Sequence, residues 1–288
     1  MVTVFTPTYN RVHTLGKLFN SLCAQSCKDF EWVIVDDGSK DDTKQLVADF
    51  EQSADFPIRY MRQSNRGKHI AINTGIKAAR GELFFIVDSD DEIPDDSIEK
   101  VCQLYDTIRN QESYGGIAGV MKSIDGSIIC GRKDYDAIDS NSIDIRYKHN
   151  VSGDLCEIFK TIVLREFSFP EYDGEKFCPE ALVWNRIATQ YKLRFTSEPL
   201  CIREYLPDGL TAKIVRIRRE APMGSMTYYS ELRGYDIPFV QKVKASINFW
   251  RFAPLRLYGK ARSMGMINFW SLMSWPLGVA MRLNDARR

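Results

Sequence analysis

Histidine is scarce in this sequence. Its three copies, His13, His69 and His149, share no spacing that a zinc site uses. The seven cysteines contain no Cys-x-x-Cys pair. An odd count without such pairs builds no disulfide framework, so a reducing compartment fits. Nowhere do about 18 apolar residues run together, the length a spanning helix needs. The opening stretch, Met1 to Asn10, has neither a basic segment nor a long apolar core, so no secretory signal is expected. A Gly-x-Gly-x-x-Gly fingerprint and a Gly-rich loop ending in Gly-Lys-Ser/Thr are both missing, which argues against dinucleotide and P-loop chemistry. A Gly-x-Ser-x-Gly elbow is missing too, which argues against a serine hydrolase. Repeats and low-complexity tracts are absent.

What is present is enough apolar residue to build a core, 44% of 288 positions. The net charge of +1 hides a division: residues 1–211 carry 25 basic and 34 acidic side chains, and residues 212–288 carry 14 and 4. An acidic body and a basic tail predict two parts with different tasks, divided near position 211.

The first part alternates short apolar runs with amphipathic stretches. Strands are predicted at Val2–Thr6, Trp32–Val35, Ile58–Arg62 and Leu83–Val87, with helices at Val12–Gln25, Asp41–Phe50, Lys68–Ala79 and Ser97–Arg109. Alternation of this kind predicts an α/β fold, a mostly parallel sheet with helices on both faces. Further along, Ile117–Met121, Ile162–Leu164 and Ile202–Tyr205 read as strands, and Glu180–Gln190 as a helix. Right-handed crossovers bring the strand C-termini to one edge, where ligands of open sheets bind. Three polar clusters fall at that edge: Thr6–Asn10, Asp36–Ser39 and Asp88–Asp91.

The last of these, Asp88-Ser89-Asp90-Asp91, leaves the run Leu-Phe-Phe-Ile-Val. Three carboxylates so close to a buried strand repel one another and lose hydration. A hard divalent cation, Mg²⁺ or Mn²⁺, resolves that conflict with one or two carboxylates plus substrate phosphates. The competing reading is a solvated acidic loop, although Asp95, Asp96 and Ser97 fit the cap of the next helix better.

Taken together, these clusters resemble the inverting family 2 glycosyltransferases with the GT-A (Rossmann-like) fold, of the type that builds bacterial cell-surface polysaccharide. The matching residues are Pro7-Thr8-Tyr9-Asn10, Val35-Asp36-Asp37-Gly38-Ser39, Gly67-Lys68, Asn73-Thr74-Gly75 and Asp88-Ser89-Asp90-Asp91. The resemblance spans roughly residues 1–205. It implies that Pro7, Thr8 and Tyr9 line a nucleotide base pocket and that Asp37 accepts a hydrogen bond from the base. It further implies that Lys68, Asn73, Asp88 and Ser89 contact the donor, and that Asp90, with Asp88, binds Mn²⁺ or Mg²⁺. Bland readings stand beside these: Asp37-Gly38 is a common turn signal, Lys68 a surface cation and Asn73 an ordinary helix residue.

An inverting transfer needs a carboxylate to take the acceptor proton. The family supplies it from a Glu-Asp pair before a helix with Trp-x-Arg. Here the stretch is Cys178-Pro179-Glu180-Ala181-Leu182-Val183-Trp184-Asn185-Arg186, so the pair is missing and Glu180 falls at the Asp position. The resemblance therefore points to Glu180 as base, with Glu175 and Asp173 as substitutes. Glu180 also suits the first turn of a helix after a proline. Trp184 suits a sugar platform or, more commonly, a core. Arg203 to Thr211 resembles a segment that closes over the donor diphosphate.

The tail, 239–283, interleaves bulky apolar residues with Lys and Arg, and Pro254 and Pro276 prevent one long helix. Such a basic, aromatic extension suits an anionic membrane interface or packing on the body or a second subunit. The acidic body argues against nucleic acid as a partner. The expectation is a cytoplasmic transferase, peripheral at the inner face of the membrane, that moves a hexosyl or N-acetylhexosaminyl group from a nucleotide-sugar to a glycan or lipid-linked acceptor. The competing functions are a catalytically degenerate nucleotide-binding relative and a sugar nucleotidyltransferase. The first loop, Pro-Thr-Tyr-Asn-Arg, lacks the glycines the last would need.

Overall fold

The computed structural model describes residues 1–129, 135–203 and 213–285. They fall into two units, one of residues 1–168 and 187–205, the other of 169–186 and 206–288. Division by composition puts 169–186 with the body, whereas by contact this stretch belongs with the tail.

In the first unit the chain runs β1 (Val2–Thr8), α1 (Leu15–Cys23), β2 (Phe30–Asp36), α2 (Thr43–Ser53), β3 (Ile58–Arg62), α3 (Lys68–Ala78) and β4 (Leu83–Ile86). Then follow α4 (Ser97–Asp106), β5 (Tyr114–Ser123), β6 (Ala137–Ser140), α5 (Asp144–Tyr147), β7 (Leu155–Lys160) and α6 (Thr161–Glu166). After α7 (Glu180–Ile187), which leads in from the second unit, β8 (Lys192–Arg203) completes the sheet. The order of the eight described strands is β3-β2-β1-β4-β7-β5-β8-β6. Strands β3, β2, β1 and β4 are parallel, as are β5 and β8, while β7 and β6 run antiparallel to their neighbours.

Burial of the central strands explains their apolar runs. All seven residues of β1 and of β2 are buried. One face, with Val2, Val4, Trp32, Ile34, Leu83 and Phe85, packs on Leu15, Leu18 and Leu22 of α1, Val47 and Phe50 of α2, and Ile98 and Val101 of α4. On the other face Phe5 stacks on Phe84 with ring centroids 4.9 Å apart. Gly75 of α3 lies against Phe5, where an added Cβ would stand 2.2 Å from the ring. Glycine there lets α3 approach the sheet. The polar residues of this face are paired: Glu31 accepts from Thr3 Oγ1 at 2.7 Å, Arg59 Nε at 3.0 Å and Arg80 N at 2.7 Å.

Two expectations are corrected. Ile162–Leu164 is not a strand but the middle of helix α6. The sheet position is filled just before it by β7, inserted between β4 and β5. Thr161 turns the chain, with its N–H donating to Glu82 O at 2.9 Å and its hydroxyl to Gly81 O at 2.7 Å. Ile162 is then 61% exposed while Val163 and Leu164 are buried, a one-sided pattern of a helix. The closing strand begins at Lys192 rather than Ile202, and Glu204 and Tyr205 lie outside the described residues. Irregular register opposite β5 around Pro199 disrupts the period-two pattern that would have shown it.

The second unit is helical: α7, then α8 (Ile214–Glu220), α9 (Pro222–Leu232), α10 (Phe239–Phe252), a 3-10 turn at Leu255–Leu257, α11 (Tyr258–Ser263), α12 (Phe269–Met273) and α13 (Trp275–Asp285). Its core gathers Met223, Met226, Phe249, Trp250, Ala253 and Met266. Gly278 lets α13 lie on α10, since a Cβ there would come 2.4 Å from Trp250 Cβ. The aromatic tail therefore splits. Trp250 and Phe252 are core, whereas Phe269 is 68% and Trp270 64% exposed, with Leu277 and Met273 exposed beside them in sequence. Among the described residues no helix is long and apolar enough to cross a membrane.

Candidate active site

Parallel pairing places three sequence-distant loops side by side. Thr8 pairs with Asp36 across β1 and β2, and Phe5 with Ile86 across β1 and β4. Asp37 N–H donates to Thr8 O at 2.8 Å and Val87 N–H to Phe5 O at 2.9 Å, so the clusters after β1, β2 and β4 share one edge. The first two are tied together. Asn10, at φ +54°, donates its N–H to Ser39 Oγ at 2.9 Å and accepts from Lys40 N at 2.8 Å. Asp36 accepts from Ser39 N at 2.7 Å and Tyr60 OH at 2.5 Å. Burial, then the bond to Asp36, pushes the Tyr60 phenol far up, so it stays a neutral donor.

Asp37 is 4% exposed and holds the start of α3. Its Oδ1 accepts from Gln63 Nε2 at 2.8 Å and Arg66 N at 2.9 Å, and its Oδ2 from Gly67 N at 2.7 Å. Gly67 has φ +96°, a conformation that glycine adopts without strain. It is followed at once by Lys68, whose Nζ lies 2.6 and 2.8 Å from the two oxygens of Asp88.

The carboxylates after β4 meet three cations. Arg203, from the end of β8, lies 2.7 Å from Asp154, 3.2 Å from Asp91 and 3.7 Å from Asp88. Arg11 reaches Asp90 at 3.9 Å. Burial raises the Asp88 pKa, but the charges of Lys68 and Arg203 outweigh it and hold the carboxyl below its usual range. Burial, then the charge of Asp88, pushes Asp90 up. The same two causes raise Asp91, against the pull of Arg203. Asp88 is thus held as an anion, while Asp90 and Asp91 both keep their protons above the usual carboxylate range.

The structure brings Pro7, Thr8, Asp37, Lys68, Asp88, Ser89 and Asp90 to this edge. Pro7, Thr8 and Ser89 are buried, and among the described residues the buried Thr8 hydroxyl has no hydrogen-bond partner. Tyr9 projects, 43% exposed. Asn73 is buried five residues along α3 from Lys68. Glu180, half-buried, is the first residue of α7 in the second unit. There Glu175 accepts from Met223 N at 2.7 Å and Gly224 N at 2.9 Å, which makes it the cap of α9. Trp184 is core, edge-on to Phe169 at 5.8 Å. Of the segment Arg203 to Thr211 only Arg203 is among the described residues.

A model of glycosyl transferase family 2 matches residues 3–150, just over half the chain. The chain belongs to that family. A relative in Campylobacter jejuni, a GalNAc(5)-diNAcBac-PP-undecaprenol beta-1,3-glucosyltransferase, is 27% identical over 194 residues, covering 64% of this chain and 58% of that protein. Residues 1–349 of TarS from S. aureus in complex with UDP-GlcNAc superpose with a TM-score of 0.60 at 19% identity, over 96% of this chain and 79% of that one. A mannosyltransferase from Pyrobaculum calidifontis in complex with GDP-Man and Mn²⁺ gives 0.57 at 18% identity, over 99% and 87%. These likenesses establish the GT-A fold. The family 2 chain spans about half the length of the curated relatives it matches.

Two residues of the edge, Gln63 and Arg11, escaped the sequence reading, and so did the pairing of Arg203 with the acidic run. Arg203 is 112 residues from Asp91, and no local pattern links them. Gln63 and Arg11 sit in loops where any polar residue looks ordinary. Asp91 was legible as part of the acidic run, but its pairing with Arg203 was not.

Proposed function

We propose that this chain is a metal-dependent inverting glycosyltransferase that takes a UDP-sugar and passes the sugar to a hydroxyl of a lipid-linked glycan. The observation that carries this reading is the juxtaposition of Asp37, Lys68, Asp88 and Asp90 at one sheet edge, within the stretch that the family model matches. A UDP-sugar is favoured by the likeness to the UDP-GlcNAc complex, and a lipid-linked acceptor by the relative named for an undecaprenyl diphosphate substrate.

A divalent cation fits the donor set. Only oxygen donors are offered at the end of β4, by Asp88, Ser89, Asp90 and Asp91. That is the form expected of Mn²⁺ or Mg²⁺ held by one or two carboxylates and the diphosphate of its substrate. Asp90, with Asp88, would hold it, and when bound it supplies Lewis-acid stabilisation of the departing diphosphate. Asp37 keeps an unfilled lone pair on Oδ2 for the base, and Pro7, Thr8 and Tyr9 flank it. Lys68 balances Asp88 before donor binds and adds positive charge for the diphosphate afterwards, with Asp88 facing the ribose and Asn73 and Ser89 near the donor. Glu180 takes the proton of the acceptor hydroxyl as that hydroxyl's oxygen bonds to the anomeric carbon. The bond from that carbon to the diphosphate breaks, and the configuration inverts. Residues 1–211 carry the donor chemistry, and the exposed apolar residues of 239–283 provide peripheral contact with a membrane.

The test is calorimetry with UDP, GDP and CDP, with and without Mn²⁺, on wild type and two variants. UDP should bind with metal only, Asp90→Ala should lose that binding, and Glu180→Gln should keep binding but lose transfer. Metal-independent binding unchanged by Asp90→Ala would refute the metal role, and retained transfer in Glu180→Gln would move the base elsewhere.

A further inference from the structure

The segment that carries Glu180 is seated on one helix of the second unit. Residues 172–186 meet α9 on both sides of Glu180. Before it, the Tyr172 and Thr227 hydroxyls share a hydrogen bond of 2.7 Å, and Glu175 caps α9 through Met223 N and Gly224 N. Phe177 O lies so near Gly224 that an added Cβ would stand 2.7 Å from it. After it, Arg186 donates from Nε to Glu231 Oε2 at 2.9 Å and from Nη2 to Glu231 Oε1 at 2.6 Å. Gly224, Thr227 and Glu231 are three and four residues apart, so they form one stripe of α9. Residues 222–227 of that helix are buried, which makes it a fixed platform.

The contact after Glu180 differs in kind from the packing around it. Helix α7 has eight residues, too few to hold its shape without support. Leu182, Val183 and Trp184 pack its apolar side, and such contacts are non-directional. A forked guanidinium–carboxylate pair is directional, since two parallel bonds fix angle as well as distance. Both side chains are 32% exposed, so this pair contributes to orientation more than to stability.

We propose that Glu231, acting through Arg186, is a positioning residue that sets the angle of α7 and with it the place of the Glu180 carboxylate. The proposal rests on the reading of Glu180 as base and goes beyond it by naming what holds the base.

The experiment follows UDP release from UDP-GlcNAc by the full chain with Mn²⁺, water serving as acceptor. In that reaction Glu180 takes a proton from water, the water oxygen bonds to the anomeric carbon, and the bond to UDP breaks. Glu231→Gln leaves one arm of the fork, and Arg186→Lys keeps the charge without the fork. Each should lower kcat about ten-fold or more, because small misplacements of a reacting group are costly, with KM for UDP-GlcNAc and Kd for UDP within about two-fold. Glu231→Asp, which keeps the fork, should recover part of the loss. The control is Arg251→Gln, which breaks a forked pair of the same kind with Asp285, at 2.6 and 2.8 Å, between α10 and α13. Its kcat should stay within about two-fold of wild type, with all variants folded by circular dichroism. Equal loss in Arg251→Gln, or a rise in KM in place of a fall in kcat, overturns the positioning role. Full kcat in Glu231→Gln and Arg186→Lys, with loss in Glu180→Gln, overturns that role alone. Unchanged release in Glu180→Gln overturns the base reading and the proposal together, as does absence of release by wild type from UDP-GlcNAc, UDP-glucose and UDP-galactose.

Discussion

Removing the Asp37 carboxylate should loosen the start of α3 before it changes anything else. In Asp37→Ala the amides of Arg66 and Gly67 lose their acceptor, and Gln63 loses its partner. Gln63 keeps a second role, accepting from Thr74 Oγ1 at 2.8 Å, and can reach water, so its loss is small. Arg66 is exposed and its amide can also turn to water, but the Gly67 amide is buried, and a buried donor left unsatisfied costs about 1–3 kcal/mol. That is a sizeable share of a domain stability of about 5–15 kcal/mol. Asp37→Asn keeps an oxygen for Arg66 N but turns an amide NH₂ toward one of the others, for roughly half the loss. Hydrogen exchange of peptides covering 64–74 is the suitable assay, because it reads this locus without assuming that both units unfold together. Exchange there should accelerate about five-fold or more in Asp37→Ala, since every 1.4 kcal/mol is a factor of ten. Protection unchanged within about three-fold would refute the role of Asp37 as anchor of α3, and nucleotide titrations of the variant would then report the base contact alone.

Three further outcomes follow from the same geometry. Gly75→Ala drives a methyl into the Phe5 ring, which stacks on Phe84, and should cost about 1–3 kcal/mol by overpacking; an unchanged denaturation midpoint would contradict the close approach of α3. Arg203→Ala leaves the 4%-exposed Asp91 without its cation, which should destabilise by about 3–5 kcal/mol, read in urea unfolding, with Arg203→Lys recovering part of the loss. Burial and Asp88 raise Asp90, so this carboxyl keeps its proton above the usual carboxylate range, and a cation can bind only once that proton leaves. Mn²⁺-dependent UDP binding should therefore tighten as pH rises from the usual carboxylate range towards neutrality, and an equal Kd at both ends would refute Asp90 as the titrating ligand.

The sequence by itself determined the α/β class, the first four strands with their intervening helices, and the edge at which the polar clusters meet. The physical reason is local: a strand buried on both faces must be apolar along its length, and the polar residues that end it mark the strand terminus. Asp36, Asp37, Asp88 and Asp90 were legible because they follow such runs. Only the tertiary structure decided what lies between distant segments. Strand β7 enters the sheet antiparallel and makes a helix of Ile162–Leu164, which no reading of those residues alone would show. Arg203 arrives from 112 residues further along the chain to pair with Asp91. Glu175 proves to be the cap of α9 because backbone amides more than 45 residues away need an acceptor. The tail's composition announced a basic, aromatic surface, but which aromatics are core and which are exposed depended on Gly278 seating α13 on α10. That contact buries Trp250 and leaves Trp270 outside, a choice made by packing and not by residue type.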